Sequence, residues 1–555
     1  MNISTKVKRI LIPPKFINNV IQCSISRSYV QYTVSEKTLT GRIISYLNPN
    51  KEESNVADST KLLQTIQYNP QYILKDAKLQ DLHKWIKLIP KKQNLFQLIN
   101  KECTKRIHSM NNQEICNLLH SFVKVFPSQI AKTEFYNASM DILFQNVNSL
   151  GKNELVQLIF FAGLQKKTKR SQIILKGSLR CLDPYLDELD VHQLCIICNS
   201  FFKTSTKLSP KVLNLTKKFI SNNLEVLKDP ALFVAFIKVL RQNKDQTEEL
   251  LTNISCAIFF NKTLQLYSFT AICHILALYS DFLYYDEKLF EHFVRLGLDQ
   301  ISNEPKKIKA YDNMDTVRNK DINRFIWSLA NVNYQNLTQD HIETIIVKKI
   351  FQRIDKGDFL GSPDLLIEML LSLWILNYRS YDMLSYVLTQ TNIIKIRESA
   401  SPVKQRLNLL LSCIYLEDPK LFQNLNLDPS MFTTYKADLQ IKKRQDLQRV
   451  FNCLNLIAKT HEINRFELVS QVPHLNIVGI AGYKKKIYKM LHVEVLDDHT
   501  SVKNTDSLPI GLMELKLRLL DKTEEGLVIV DSKEICDMTE HELQLHLVES
   551  INLVT

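Results

Sequence analysis

Apolar residues recur along most of this chain at positions i, i+3, i+4 and i+7, the spacing that lines one face of an α-helix. Leu79, Leu82, His83 and Ile86 form the first set, and the same face returns at Ile115, Leu118, Leu119 and Phe122. It continues at Leu155, Leu158, Ile159 and Ala162, at Leu194, Ile197, Cys198 and Phe201, and at Leu232, Ala235, Phe236 and Val239. Later copies stand at Phe269, Ile272, Cys273 and Leu276, at Ile322, Phe325, Ile326 and Leu329, and at Leu366, Met369, Leu370 and Leu373. The last two are Leu407, Leu410, Leu411 and Ile414, then Val450, Cys453, Leu454 and Ile457. Successive first anchors lie about forty residues apart, the period of stacked two-helix units. Second amphipathic segments fall between them, from Val212 to Ile220, Leu250 to Phe259, Leu289 to Ile301 and Ile342 to Ile354. One helix pair cannot bury its apolar face alone, whereas a stack of pairs makes one continuous core. The pattern therefore predicts a mainly α-helical protein, an α-solenoid of helical hairpins over residues 61–463.

Local signals agree with the period. Asp229-Pro230, Ser362-Pro363 and Ser401-Pro402 each put an N-cap side chain before a proline, whose missing N–H costs nothing at the first helical position. The step from Phe269 to Ile322 exceeds a repeat by about a third and contains Asn303-Glu304-Pro305-Lys306-Lys307 and a polar run to Lys320. This reads as an extended loop within the solenoid.

Near the end the pattern changes. His492 to Leu496 reads as a short strand, Leu512 to Leu520 as a helix opened by Gly511, and Gly526 to Val530 as a second β-branched run. Strand, helix and strand predict a small α/β module over residues 470–555. Residues 36–60, polar from Asn48 to Asp58, read as a linker.

Composition supports long helices, with only 11 glycines and 16 prolines in 555 residues. The formal charge of +13 points to an anionic partner, nucleic acid first, because clustered Lys and Arg release counterions from phosphates. Residues 1–35 hold no Asp or Glu, while Lys6, Lys8, Arg9, Lys15 and Arg27 alternate with Ser, Thr and Ile. That is the composition of an organellar transit peptide; the competing reading is a basic arm that itself touches RNA. No apolar run is long enough to span a bilayer, so no membrane insertion is expected. Cys195-Ile196-Ile197-Cys198 lacks a second pair or matching His spacing and reads as core cysteines, not a zinc site. His192, His274 and His492 lie on or beside apolar faces and read as core histidines. No metal or cofactor is expected, and there is no glycine-rich phosphate loop, zinc-protease motif or nucleophile elbow.

Candidate RNA-binding residues fall in two sets. Lys124, Lys203, Arg241 and Lys459 each follow their first anchor by nine positions and, stacked in register, would form a basic rail. Leu278, Asn331, Ile375 and Leu416 interrupt it, and the helix dipole alone favours cations at a helix C-terminus. The second set is Tyr483-Lys484-Lys485-Lys486-Ile487-Tyr488-Lys489, where lysines neutralise phosphates while a ring stacks on an unpaired base. A solvated connection between two strands is the alternative. Lys442-Lys443-Arg444 reads as the exposed start of a helix.

The module resembles the RAP domain, an RNA-binding module abundant in apicomplexans and found at the C-terminus of mitochondrial FAST kinase-domain proteins. The resemblance rests on Val493-Glu494-Val495 followed by His499, on Gly511 with Leu515-Lys516-Leu517-Arg518-Leu519-Leu520, and on Leu527-Val528-Ile529-Val530 before a final helix. Leu496 and Asp497 stand where the family shows an acid and a glycine, and Asp531 to Ile535 replace its aromatic pair. The repeats are similar in architecture to heptatricopeptide and octotricopeptide proteins. The resemblance implies an RNA-binding protein of the mitochondrial matrix, or of a plastid, acting without catalysis in RNA stability, processing or ribosome assembly. Its partners would be organellar mRNA or rRNA and ribosomal or other organellar proteins. Lys484, Lys485, Lys486, Tyr488, Lys489, His499, Lys516 and Arg518 would contact the RNA. RAP domains are also similar in fold to very-short-patch-repair and restriction-type nucleases, which need two carboxylates and a lysine around a divalent metal. Glu494, Asp497, Asp498, His499 and Lys516 would serve a metal-dependent RNA endonuclease, the first alternative. A structural subunit of an organellar ribosome or other large assembly is the second. The residues themselves read as a structural Glu494–Lys516 pair over a core of Leu515, Leu519 and Leu520.

Overall fold

A computed structural model of the chain describes residues 39–47, 93–127, 129–222, 224–261, 264–304, 317–389, 401–424, 441–458, 463–484, 490–523 and 525–554, with isolated residues between 74 and 86 and at 392 and 396. The chain divides into two compact units, one reaching to Gln165 and including Lys176–Leu182, the other holding Lys166–Leu175 and everything from Asp183 onward.

The first unit contains α1 (Leu39–Leu47), α2 (Gln93–Arg106), α3 (Asn112–Val125), α4 (Glu134–Gln145) and α5 (Lys152–Ala162). Asn111 and Glu114 close a capping box at the start of α3, each side chain taking the backbone N–H of the other. Helix α2 packs on α4, and α3 on α5. Helix α6 (Lys169–Leu182) follows.

The second unit carries the longer run of repeats: α7 (Val191–Lys203), α8 (Pro210–Asn222), α9 (Leu224–Lys228), α10 (Pro230–Asn243), α11 (Glu248–Phe260), α12 (Phe269–Asp281), α13 (Glu287–Ser302) and α14 (Asn319–Asn331). After them come α15 (Lys348–Asp355), entered through a π-type segment Ile342–Val347, then α16 (Pro363–Ile375), α17 (Tyr381–Val387), α18 (Ser401–Glu417) and α19 (Pro419–Asn424). Helices α7, α10, α12, α14, α16 and α18 stack in that order as one row, and α8 packs on α11 in a second. Every anchor from Ile115 to Ile414 is at most 6% exposed, so the forty-residue pattern is the core itself. Asp229 caps α10 through the N–H groups of Ala231 and Leu232, whereas Ser362 makes no side-chain cap bond. Residues 305–316 of the long connection lie outside the described residues.

The tenth anchor set departs from expectation. Val450, Cys453, Leu454 and Ile457 lie on α20 (Gln445–Ile457), which packs on strands and on the last helix rather than on α18. An apolar stripe looks the same whether a helix or a sheet covers it, and packing puts α20 with the α/β module. It continues through β1 (Ile463–Val469), β2 (Gly479–Lys484), β3 (Met490–Leu496), α21 (Gly511–Asp521), β4 (Gly526–Asp531), α22 (Ser532–Ile535) and α23 (Glu540–Val554). The sheet order is β1-β2-β3-β4, antiparallel except for the parallel β3–β4 pair, which α21 connects. Leu491, Val493 and Val495 join the core with α20 and α23. The alternate residue Glu494 therefore faces the other side of the sheet, toward α21.

Helix α21 also packs on α14, α16 and α18, which seats the module on the repeats. A Cβ on Gly511 would lie 1.7 Å from the Ala330 carbonyl oxygen, so only glycine permits this approach. Arg518 bonds Glu417 of α18 and the carbonyl of Trp374 in α16. A loop ahead of α21 adds a second attachment: the Lys503 N–H donates to the Leu283 carbonyl, the Tyr285 N–H donates to the Lys503 carbonyl, and the Lys503 ammonium lies 4.0 Å from the Phe282 ring centre.

Candidate nucleic-acid interface

In the module, the buried charges are paired. Glu494 and Lys516 are both 0% exposed, and their 2.5 Å contact lies outside the angles of a regular hydrogen bond. Burial pulls the Lys516 pKa down, and Glu494 pulls it back. Gly479 on β2 makes room for the carboxylate, since a Cβ there would come within 2.1 Å of Glu494 Oε1. Arg444, just before α20, reaches the end of β3, donating to Asp497 at 2.6 Å and to the carbonyls of Val478 and Val495. Asp497 also accepts from the His499 N–H, while His499 Nε2 lies 3.1 Å from the Lys443 carbonyl. Asp498 is exposed. Among the described residues no group of three or more His, Cys, Asp and Glu side chains is placed to share a metal ion.

In the repeats, charges are gathered and left open. Lys238 and Arg241 on α10, Arg318, Lys320 and Arg324 around the start of α14, and His274 on α12 between them come together across three consecutive helices of the stacked row. Asp321, 0% exposed, anchors the group: it accepts from Arg318 Nε at 2.5 Å, Arg324 Nη1 at 2.9 Å and Thr270 Oγ1 at 2.9 Å. Asp281 takes Arg241 Nε at 2.6 Å. Five cations thus meet two carboxylates. Each guanidinium carries five donors, so Arg318 and Arg324 keep N–H groups without an acceptor among the described residues. His274 lies 3.4 Å from a guanidinium nitrogen of Arg241 on one side and of Arg324 on the other. Burial, then Lys238 and Arg324, hold its pKa far below the ordinary value, so it stays neutral. Burial, then Arg318 and Arg324, bring the Lys238 ammonium down to about 8. That ammonium lies 5.7 Å from the ring centre of exposed Phe202 on α7.

A cavity opens further along α14. Trp327 stands one turn beyond Arg324 on α14 and lines a space of about 610 Å³ bounded by α14, α16, α18 and the module. Arg406, Lys443, His474, Asn476 and His499 also border it, with Ile375, Leu409 and Leu475. Arg406 pairs with Glu368 at 2.9 Å, and Glu368 also accepts from Asn323.

The structure therefore scatters the residues singled out from sequence. Arg241 belongs to the basic patch; Lys203 and Lys124 are exposed at the ends of α7 and α3; Lys459 lies outside the described residues. Lys485, Lys486, Tyr488 and Lys489 also lie outside them, between β2 and β3, and Lys484 ends β2. Lys516 and Arg518 turn into ion pairs, and His499 faces the cavity. His274 is buried among cations rather than in an apolar core, and His192 is exposed. Cys198 is buried beside Thr216, and burial pushes its thiol up to about 12. Lys238, Arg318, Lys320, Arg324 and Trp327 were not singled out from sequence. The nearest signal was the dense run Arg318 to Arg324 closing the irregular connection.

No protein-family model matches the chain. Over 301 residues it is 20% identical to FAST kinase domain-containing protein 5, mitochondrial, of Homo sapiens, a stretch covering 54% of this chain and 36% of that relative. The chain thus matches only about a third of the relative's length, and the likeness supports at most a distant relation to the FAST kinase-domain proteins.

Proposed function

We propose that this chain is an RNA-binding protein of the mitochondrial matrix that holds single-stranded organellar RNA along its stacked helices, acting without catalysis in RNA stability, processing or ribosome assembly. One observation carries the reading: five cations on α10 and α14 share two carboxylates, an excess of charge that a phosphate backbone would neutralise. The acid-free first 35 residues and the mitochondrial name of the distant relative support the compartment. Full burial of Glu494 and Lys516 supports binding over cleavage.

The test is fluorescence anisotropy of the full chain with single-stranded RNA across a salt series. Affinity should fall log-linearly with salt, and Lys238→Met with Lys320→Ala should flatten the slope by about 0.7 for each phosphate no longer neutralised. No salt-sensitive binding, with a stable set of co-purifying organellar proteins instead, would favour a structural subunit. Magnesium-dependent cleavage abolished by Glu494→Ala would favour the endonuclease.

A further inference from the structure

We propose that the cavity between α14, α16, α18 and the module is a pocket for one unstacked base of the bound RNA, with Trp327 as its stacking surface. The inference rests on the RNA-binding reading and adds where a base is taken from the strand. Arg324 and Trp327 are three residues apart on one helix and so lie on the same face, about 4.5 Å apart along the axis. A backbone held at Arg318, Lys320 and Arg324 would therefore run within about one helical turn of the Trp327 that lines the cavity. A nucleobase needs an aromatic face, apolar walls and a few groups for its polar edge. The indole of Trp327 is part-exposed, and its N–H meets no acceptor among the described residues. Leu409 and Leu475 supply walls, and the Asn476 and Gln405 amides, which bond no described group, face the same space. Exposed Lys443 can meet a flanking phosphate. The acidic rim group, Glu368, is already held by Arg406 and Asn323 and does not repel the strand.

The experiment uses the full chain with two fluorescein-labelled probes, a mixed-sequence oligoribonucleotide and an abasic strand of the same length. Trp327→Ala should weaken the base-bearing probe by about tenfold and leave the abasic probe unchanged, because the stacking ring is gone while the phosphates are still held. Trp327→Phe should retain most of the affinity. The second readout is tryptophan fluorescence, quenched by RNA in the wild type and much less in Trp327→Phe. Adenosine monophosphate alone tells the two sources of a base apart: quenching only by the oligonucleotide assigns the pocket to the polymer. Quenching by the free nucleotide with equal oligonucleotide affinity in all variants would overturn the proposal. Wild-type binding with no change in Trp327→Ala overturns the pocket alone, whereas no wild-type binding to either strand overturns the RNA reading with it.

Discussion

The module and the repeats of the second unit use the same residue types in opposite ways. In the module, Lys516 and Arg444 each meet a carboxylate that is at most 4% exposed, and charge balances within each pair; Arg518 instead shares the buried Glu417 of α18 with Arg379. In the repeats, one fully buried carboxylate, Asp321, steadies two arginines while Lys238 and Lys320 pair with no described acid. A balanced buried pair orders the fold but has nothing left for a ligand. An unbalanced cluster, held in place by its buried anchor, keeps donors and field for an anion.

The largest expected effect breaks the balance in the module. Lys516→Ala leaves Glu494 buried and unpaired and should cost about 3–5 kcal/mol of stability, read by urea unfolding. Replacing both partners, Glu494→Leu with Lys516→Met, should restore stability to within about 1.5 kcal/mol of the wild type and leave RNA affinity untouched. If the double variant unfolds normally but no longer binds RNA, the pair is functional and the contrast fails. In the repeats the pattern should reverse: Lys238→Met with Lys320→Ala should change stability by less than about 0.5 kcal/mol while lowering RNA affinity roughly tenfold.

The smallest effect is a pH dependence. Lys238 is charged below its folded pKa of about 8, so RNA affinity should fall as pH rises from 7 to 9 and its ammonium deprotonates. For stability the sign is opposite. A lysine whose folded pKa is lowered holds fewer protons folded than unfolded above pH 8, so folding becomes easier as pH rises through that window. Anisotropy at pH 7, 8 and 9 should show a decline of roughly threefold that Lys238→Met lacks, in keeping with one phosphate no longer neutralised. A pH-independent affinity in the wild type would remove Lys238 from the patch.

Periodicity was enough to establish the helical repeats, their spacing and the β3–α21–β4 core of the module. Those features depend on which positions are apolar, and burial of each anchor from Ile115 to Ile414 follows directly from 3.6 residues per turn. The Glu494–Lys516 pairing was legible too, because strand alternation places Glu494 opposite the valines and a helix must cover that side. That α20 goes with the α/β module was settled by packing, since its stripe is the same for a helical or a sheet partner. Packing also gathered Lys238, Arg241, His274 and Arg324, which are separated by up to 86 positions in the chain and meet only because equivalent faces of α10, α12 and α14 stack. Spacing from an anchor says which face a residue occupies, not whether a neighbouring helix supplies it with a counter-charge. That is why Arg518 lies clamped against Glu417 while Arg324 remains available to an anion.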